Sequence, residues 1–382
     1  MEMAKDYQAI TWCGAVEDDF RTLLDLAIRE DVESIGDLTS LSLIPESAVG
    51  RAAIVSRSEG IVAGMPTVEI ICGAISPDLR WEPSVQDGDR IKPKDRLGIL
   101  SGPARAMMQA ERLILNFVAR LSGIASTTDL YVQEIRDTKS RVYDTRKTTP
   151  GWRLLEKYAT CCGGAQNHRA GLYDAILIKD NHLALAAGRA GLNALEYDPA
   201  KAVREVRRFL EEQDELGPRP PVHCHGNLIA TCKMRTSLLA AVAEVTGSAV
   251  LSQIIAKTPC HLLEIAHKEN EQVPRKPADN FPAKDVIVEV EVDTFQQFES
   301  VLEADPDIIM LDNMSCEMMA KAVKLRNERK PEIELEASGG ITLKTIRAVA
   351  ETGVERISVG ALTHSFNMFD IGLDWLDPEK KQ

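Results

Sequence analysis

Residues 286–362 contain four short apolar segments that alternate with longer segments of helical periodicity. The apolar segments are VIVEVEV (286–292), IIMLDN (308–313), IELEASGG (333–340) and ISVGAL (357–362). Buried strands that alternate with amphipathic helices are typical of a parallel sheet covered by helices. We therefore predict that this part of the chain folds as a parallel sheet curled into an α/β barrel.

The same alternation begins earlier in the chain. VYDT (142–145) and AILIKD (175–180) are short apolar segments, and each is followed by a segment of helical periodicity. Together with the four later segments they predict about six strands. Barrel enzymes place their chemistry in the loops that follow the carboxyl ends of the strands. We therefore expect the site to lie in those loops.

The first part of the chain has a different pattern. Between residues 48 and 101, short apolar runs are separated by turn signals such as QDGDRIKPKD (86–95), which indicates a small sheet. Residues 104–122 lack Gly and Pro and have helical periodicity, so we predict a long helix that leaves this first domain. A length of 382 residues also favours two domains.

Composition limits the class of protein. Lys and Arg number 45 against 58 Asp and Glu, and the net charge of −13 argues against general binding to nucleic acid or membrane surfaces. The sequence has neither a signal-peptide pattern nor an apolar run long enough to span a bilayer. The eight cysteines include no CxxC pair, and the adjacent Cys161 and Cys162 are interpreted as packing residues. We expect a cytoplasmic protein with reduced thiols.

Basic side chains collect where the predicted strands end. Five of them follow strands or lie in the loop GGAQNHR (163–169): Arg146, Lys147, His168, Arg169 and Lys179. This acidic protein therefore concentrates positive charge where a barrel binds its ligand. The pattern predicts a site for a polyanion.

Small residues follow the last two strands. Ser338, Gly339 and Gly340 precede a predicted helix start, and Gly360 follows the next strand. Free backbone N–H groups at such turns can bind phosphate, and barrels often form a phosphate site from these two loops. Plain turn chemistry is the alternative for these glycines.

Two acids lie on successive strands. Glu291 and Asp312 suit a site that binds Mg²⁺ with a pyrophosphate, or that stabilises positive charge developing on a ribose ring. Glu289 shares the strand face of Glu291 because side chains alternate with a period of two. The alternative is that Glu291 and Asp312 only form ion pairs with the lysines of the rim.

These segments closely resemble the quinolinate phosphoribosyltransferase family. The most specific motifs are TRKTTPG (145–151), NHR (167–169) and IKDNH (178–182). Further matching segments are EDVESIGDLTS (30–40), AERLILNFVARLSGIAS (110–126), VEVEV (288–292), LDN (311–313), EASGGI (336–341) and SVGALTHS (358–365). The resemblance covers nearly the whole chain apart from one insertion.

The resemblance implies a fold and an assembly. Members of the family have an N-terminal α/β sandwich domain, here expected at residues 1–122, and an incomplete α/β barrel, here expected at 123–362. Residues 363–382 would return to the first domain through FDIGLDW. Members work as homodimers in which an arginine of the helix leaving the sandwich reaches the partner's site, and Arg112 matches that arginine.

The resemblance also implies a reaction that converts quinolinate and phosphoribosyl pyrophosphate to nicotinate mononucleotide, CO₂ and pyrophosphate. The quinolinate-binding residues would be Thr145, Arg146, His168, Arg169 and Lys179, with Arg112 of the partner subunit. The residues that bind phosphoribosyl pyrophosphate would be Lys147, Glu291, Asp312, Ser338, Gly339, Gly340, Val359, Gly360 and Ala361. Lys147, Lys179, Glu291 and Asp312 would be catalytic. Mg²⁺ would be bound mainly through phosphoribosyl pyrophosphate, with Glu291 and Asp312 as candidate ligands.

A segment of about seventy residues interrupts the alternation at about 217–284, far longer than an ordinary connection. We expect this insertion to protrude from the rim opposite the active site. It contains a set of possible zinc ligands: His223, Cys224, His225, Cys232, Cys260, His261 and His267. Their spacing matches no standard zinc site, and unremarkable thiols and surface histidines are the alternative.

Three rival functions stay open from the sequence. Lys179 at a strand end could form a Schiff base with a phosphorylated carbonyl substrate, although the neighbouring arginines fit a dicarboxylate better. A pyrophosphorylase-like branch of the same superfamily would take a different acid. An inactive paralogue would bind quinolinate or a nucleotide as a sensor.

Overall fold

The computed structural model describes residues 5–189, 198–216 and 285–376. The chain divides into two compact units, residues 1–207 with 286–382, and residues 208–285. The insertion expected at about 217–284, with its candidate zinc ligands, lies outside the described residues. The second unit is described only at residues 208–216, the end of helix α7 (Pro199–Leu216), and at residue 285. Apart from that end of α7, the first unit contains the elements described below.

An antiparallel sheet organises the N-terminal part of the first unit. Its strand order is β12-β1-β5-β3, formed by β1 (Val49–Ser56), β3 (Arg80–Pro83), β5 (Arg96–Pro103) and β12 (Ile371–Trp375). β12 pairs antiparallel with β1, so the segment FDIGLDW completes the N-terminal sheet. A second, two-stranded sheet consists of β2 (Gly60–Ile61) and β4 (Arg90–Ile91).

Three helices accompany these sheets: α1 (Gly14–Val32), α2 (Leu38–Leu43) and α3 (Met65–Ile75). The carboxylate of Asp37 accepts hydrogen bonds from the N–H groups of Thr39 and Ser40, which begins α2. Apolar side chains of the helices and of the four-stranded sheet share one core, whose members include Phe20, Leu24, Ile54, Val68, Ile71, Leu97 and Leu100. Burial of these side chains supplies the main stabilising term of this part.

Helix α4 (Ala104–Ile135) is longer than the sequence pattern predicts. The predicted end at residue 122 is wrong because the helix continues through Ser122 and Gly123. The Ser122 hydroxyl donates to the carbonyl oxygen of Ala63, and a Cβ at position 123 would overlap the carbonyl oxygen of Asn367. The glycine is therefore required by close packing and not by a helix end.

A six-stranded parallel sheet forms the incomplete barrel, as expected. Its order is β6-β11-β10-β9-β8-β7, formed by β6 (Arg141–Tyr143), β7 (Ile176–Ile178), β8 (Val288–Val292), β9 (Ile308–Asp312), β10 (Glu334–Ser338) and β11 (Arg356–Ser358). The connecting helices are α5 (Arg153–Cys162), α6 (Asp180–Arg189), α7, α8 (Phe295–Leu302), α9 (Cys316–Arg329) and α10 (Ile346–Ala350), and α11 (Ala361–His364) follows the last strand.

The loop 163–169 lies beside β6 at one edge of this sheet. The N–H of Gln166 donates to the carbonyl oxygen of Val142 at 2.8 Å, and the N–H of Asp144 donates to that of Gln166 at 3.1 Å. These bonds continue the ladder beyond β6 and place His168 next to the strand that precedes Arg146. Among the described helices, none combines the length and the apolar character that a membrane span requires.

Candidate active site

A buried ion pair joins the two basic loops of the site. The ammonium Nζ of Lys157 lies 2.5 Å from Oδ1 of Asp144 and 2.7 Å from the carbonyl oxygen of His168, and the side chains of both ionic partners are fully buried. Asp144 also accepts hydrogen bonds from the His168 N–H and from the Asn167 side chain. Arg146 and Lys147 follow Asp144, and Arg169 follows His168, so this network holds both basic loops together.

The loop TRKTTPG is also anchored from helices α4 and α5. Glu156 accepts hydrogen bonds from Arg120 Nη2 at 2.5 Å and from the Thr149 N–H at 3.1 Å, and its side chain is fully buried. The Arg120 guanidinium lies 4.8 Å above the ring of Trp152. Two charged side chains and one aromatic ring therefore orient the loop that carries Arg146 and Lys147.

Helix caps define the turns after β8 and β9. Thr294 and Gln297 form a capping box that begins α8 directly after β8. Asn313 has a positive φ of 52°, and the Ser315 side chain accepts a hydrogen bond from the Met318 N–H to begin α9. The carboxylates of Glu291 and Asp312 are therefore held at the ends of their strands by local sequence chemistry.

A cavity of about 560 Å³ opens at the carboxyl ends of the barrel strands. It is lined by Thr145, Arg146, Lys147, His168, Arg169, Leu177, Lys179, Glu291, Met310, Asp312, Asn313, Ser338, Gly339, Gly340 and Ser358. Eleven of the expected site residues are among these, so the structure brings most of them to one cavity. Val359, Gly360, Ala361 and Arg112 are expected site residues that do not line it.

The structure places these four residues close to the cavity or outside it. A Cβ on Gly360 would lie 3.1 Å from Cδ of Lys147, so Gly360 borders the rim. Val359 is buried and donates its N–H to the carbonyl oxygen of Tyr143. Ala361 is the first residue of α11. Arg112 lies on α4 with 67% of its side chain exposed, and it is 3.8 Å from Glu111.

Four cavity residues were not expected from the sequence: Leu177, Met310, Asn313 and Ser358. Leu177 lies two positions before Lys179, which directly follows β7, and Met310 lies two positions before Asp312 on β9. Because strand side chains alternate with a period of two, that period could have identified both. Asn313 directly follows Asp312, but its approach to the neighbouring loop is a tertiary contact.

The two loops expected to bind phosphate, one after β10 and one after β11, have different backbone structures. Gly339 and Gly340 have positive φ values of 93° and 64°, whereas helix α10 begins only at Ile346. The helix expected after this turn is present, and five residues separate it from Gly340, so the free N–H groups at Gly339 and Gly340 belong to a glycine turn. Gly360 is the residue before α11, and the Thr363 hydroxyl donates to the Lys147 carbonyl oxygen at 2.8 Å.

Each of the two acids of the cavity, Glu291 and Asp312, contacts a neighbouring side chain. Lys179 forms an ion pair with Glu291. For Glu291, this contact agrees with the alternative interpretation that the acids pair with the lysines of the rim. The carboxylate of Asp312 accepts a hydrogen bond from the side-chain amide of Asn313 at 2.7 Å. Arg146 and Arg169 line the same cavity as Lys179, and this group of cations fits an anionic dicarboxylate better than Schiff-base chemistry.

The two arginines of the cavity have donors without acceptors. Within the described parts of the chain, the buried Nε groups of Arg146 and Arg169 have no hydrogen-bond partner. Burial and the nearby charge of Arg146 lower the pKa of Arg169. A buried cation with unused donors beside a second cation is stabilised by a bound anion.

Below the cavity, His168 meets two buried carboxylates. Its Nε2 lies 3.1 Å from Glu289 and 3.6 Å from Glu336, and its Nδ1 accepts the Arg169 N–H at 2.8 Å. Burial acts to lower the pKa of His168, but the two carboxylates outweigh it and the net pKa is raised. Protonation of Nδ1 would break the bond to Arg169, so the bonded tautomer carries its proton on Nε2.

The two carboxylates differ in their titration. Burial and the charge of Glu289 raise the pKa of Glu336 to about 7. Burial also acts to raise the pKa of Glu289, but His168 and Tyr7 outweigh it and the net pKa is lowered. Ligand atoms of His168, Glu289 and Glu336 lie within 4.8 Å of one another, as a metal site would require. Because Glu289 is already engaged by a histidine and a tyrosine, these contacts fit an internal proton-sharing network better.

A parallel barrel with a basic cavity, two acids and glycine turns at its strand ends defines an enzyme class that acts on phosphorylated anions. The family model of the quinolinate phosphoribosyl transferase C-terminal domain matches residues 124–227 and 264–374, and that of the N-terminal domain matches residues 37–122. The chain belongs to the quinolinate phosphoribosyltransferase family. Residues 228–263 lie outside the matched ranges.

Named relatives and solved structures agree with this family. A quinolinate phosphoribosyltransferase (decarboxylating) 1b of Nicotiana tabacum is 32% identical over 93% of this chain and 82% of its own length. A nicotinate-nucleotide pyrophosphorylase (carboxylating) of Mycobacterium leprae is 32% identical over 94% of this chain and 97% of its own. The structure of that enzyme from Francisella tularensis superposes with a TM-score of 0.69 at 28% identity, covering 97% of this chain and all of that chain.

Proposed function

We propose that the protein transfers the phosphoribosyl group of phosphoribosyl pyrophosphate to quinolinate and releases CO₂, forming nicotinate mononucleotide for NAD biosynthesis. The observation that carries this proposal is the pair of buried Nε donors of Arg146 and Arg169, which lack acceptors among the described residues. An anion with two carboxylates would supply those acceptors. The names of the relatives support the same substrate.

The quinolinate side of the cavity would consist of the basic loops. Arg146 and Arg169 can each bond both oxygens of a planar carboxylate, and Lys179 adds a movable point charge. Thr145 and His168 would complete this side, and both line the cavity. In the absence of a bound anion, Lys179 forms an ion pair with Glu291.

The opposite side would bind phosphoribosyl pyrophosphate. The turn Ser338-Gly339-Gly340 and the turn Val359-Gly360-Ala361 would bind the 5-phosphate through backbone N–H groups, and Lys147 would contact the pyrophosphate. Glu291 and Asp312 would bind ribose hydroxyls and Mg²⁺, which prefers oxygen ligands and keeps several waters and phosphate oxygens. When bound, Mg²⁺ would neutralise charge on the leaving pyrophosphate.

The chemistry needs no protein nucleophile. The bond from C1 of the ribose to pyrophosphate breaks while the ring nitrogen of quinolinate forms a bond to C1, and the acids offset the positive charge of the sugar. The C2–carboxylate bond then breaks, CO₂ leaves, and the electron pair on C2 is stabilised by the adjacent pyridinium nitrogen. A solvent proton adds to C2. The protein would supply orientation and charge.

We further propose a cytoplasmic homodimer in which Arg112 completes the partner's site. The exposed side chain of Arg112 does not line the cavity of its own chain. Exposed apolar side chains near α2 support burial against a second copy: Ile35, Leu38, Leu41, Leu43 and Val49. The described cysteines are free thiols, which supports a reducing compartment.

The test is release of labelled CO₂ from carboxyl-labelled quinolinate, with phosphoribosyl pyrophosphate and Mg²⁺ each omitted in turn. We expect release only when both are present. Asp312→Asn is expected to lower kcat by about a hundredfold, because it removes a charge that offsets the transition state. The exposed Glu299→Gln, on helix α8, is the matched control and should keep full activity. No release by folded wild-type protein would overturn the proposal and favour the inactive paralogue.

A further inference from the structure

The N-terminal residues 5–10 (KDYQAI) lie outside the ranges that the two family models match, yet they enter the barrel. The Asp6 carboxylate accepts hydrogen bonds from Arg141 Nη1 at 2.9 Å and from Arg356 Nη1 at 3.0 Å. These arginines are the first residues of β6 and β11. The segment therefore covers the amino-terminal end of the barrel, opposite the cavity mouth.

Two further contacts fix this segment, one at the amino-terminal end of the barrel and one beside His168. The carbonyl oxygen of Lys5 accepts from Arg356 Nη2 at 3.1 Å, and the N–H of Ile10 donates to Oδ1 of Asn167 at 2.7 Å. Asn167 directly precedes His168 and belongs to the buried network of Asp144. The path of the segment is therefore fixed at both ends by buried or half-buried groups of the barrel.

Tyr7 lies between these two ends, with its ring beneath His168. The ring centroids are 4.6 Å apart at an interplanar angle of 24°, so the rings stack. The Tyr7 hydroxyl donates to Oε2 of Glu289 at 2.7 Å. The same carboxylate oxygen lies 3.1 Å from Nε2 of His168. Tyr7 therefore contacts the face of the imidazole and also the acid at its edge.

The charged surroundings make this arrangement costly to disturb. Glu289 and Glu336 have no exposed surface, and the Arg356 guanidinium lies 5.6 Å above the Tyr7 ring. Without Tyr7, Glu289 would lose a hydrogen-bond donor and a void would open below the imidazole. Rotation of His168 into that void would break the bond between its Nδ1 and the Arg169 N–H.

We propose that Tyr7 is a positioning residue for substrate binding: it holds His168, and through it Arg169, in the orientation that binds the dicarboxylate. This inference rests on the proposed function for the identity of the substrate. Tyr7 acts from below the cavity and does not line it. Its removal therefore affects the quinolinate side of the site and leaves the phosphate loops in place.

The test compares Tyr7→Phe and Tyr7→Ala with the wild type in the full chain. KM is measured separately for quinolinate and for phosphoribosyl pyrophosphate, and quinolinate binding is measured by calorimetry. We expect Tyr7→Ala to raise the KM and the Kd for quinolinate about tenfold or more, with the other KM changed by less than about twofold. Tyr7→Phe keeps the stacked ring and should show a smaller rise in the same two quantities.

Tyr158 provides the matched control. It is also a buried tyrosine that donates its hydroxyl to a carboxylate, that of Asp87, and its ring packs against Trp12 away from the cavity. Tyr158→Phe and Tyr158→Ala should lower stability and leave the KM for quinolinate unchanged. An unchanged KM for quinolinate in Tyr7→Ala, or an equal rise in both KM values, would overturn the inference. If Tyr7→Ala does not fold, Tyr7→Phe decides.

The experiments distinguish failure of the proposed function from failure of the proposed role of Tyr7. Wild-type protein that neither binds quinolinate nor releases CO₂ contradicts the proposed function itself. Wild-type protein that does both, together with a Tyr7→Phe variant of unchanged quinolinate affinity and a Tyr7→Ala variant of unchanged KM, contradicts only the role of Tyr7.

Discussion

Gly339 lies directly against the side-chain amide of Asn313, so that a Cβ at position 339 would overlap the Oδ1 of Asn313. Gly339 also has a φ of 93°, which an L side chain rarely adopts. This contact joins the turn after β10 to the turn after β9. The close contact at Gly339 therefore fixes the position of the turn Ser338-Gly339-Gly340, which is expected to bind phosphate, relative to Asp312.

Gly339→Ala is expected to raise the KM for phosphoribosyl pyrophosphate by about tenfold or more, because the displaced turn loses its backbone donors. Steady-state kinetics with quinolinate saturating measures this change. Gly353→Ala is the control, since Gly353 has a similar φ of 92° in a turn after α10 and meets only Val323. A comparable rise in the control would assign the effect to general loss of stability.

Lys157→Met is expected to destabilise the protein by at least about 3 kcal/mol, because it leaves the buried Asp144 carboxylate without its cation. Burial lowers the pKa of Lys157, and the Asp144 carboxylate opposes that shift. Urea unfolding followed by circular dichroism measures the change. The exposed Lys92→Met should change the unfolding free energy by less than about 0.5 kcal/mol. An equally small effect at Lys157 would show that the network does not hold the basic loops.

Glu336→Gln is expected to alter how stability depends on pH. Because the pKa of Glu336 is raised to about 7, its favourable contribution is complete below its unfolded pKa and is lost as the pH rises through about 7. Wild-type protein should therefore lose more unfolding free energy between pH 5 and pH 8 than Glu336→Gln, on the order of 1 kcal/mol or more. Chemical unfolding of both proteins at the two pH values tests this, and equal losses would contradict the assignment.

Mixing Arg112→Ala with Asp312→Asn tests the shared site. Each variant alone should be nearly inactive. If subunits exchange at random, half of the dimers are mixed and each contains one intact site, so about one quarter of wild-type activity should return. No recovery after verified subunit exchange would place Arg112 outside the partner's site. Mixing Arg112→Ala with wild-type protein is the control, because its activity should stay at about half of the wild-type value whether or not subunits exchange.

Thiol labelling should separate the described cysteines by environment. Burial raises the pKa of Cys72 and Cys162 to about 12 and that of Cys161 to about 11, so these thiols should not react with iodoacetamide near pH 8. Cys13 and Cys316 are exposed and should be alkylated. Peptide mass spectrometry after brief labelling measures both groups. Rapid labelling of Cys161 or Cys162 would contradict their interpretation as packing residues.

The barrel and the composition of its rim could be predicted from sequence because both depend on local periodicity. Each strand is a short apolar run, and the residue that follows it must lie at the carboxyl edge of a parallel sheet. Arg146, Lys179, Glu291 and Asp312 were therefore expected at one cavity, and the family resemblance added their roles. The identity of the substrate came from the resemblance and not from spacing.

Other features were decided only by the tertiary structure, because they depend on contacts between residues far apart in the chain. Gly123 lies inside helix α4, and a glycine is required there because the backbone of Asn367 packs against the helix. Tyr7 reaches His168 and Glu289 across more than a hundred and fifty residues, a contact that no local pattern encodes. Periodicity determines which face of an element is buried, but long-range packing determines which buried groups meet.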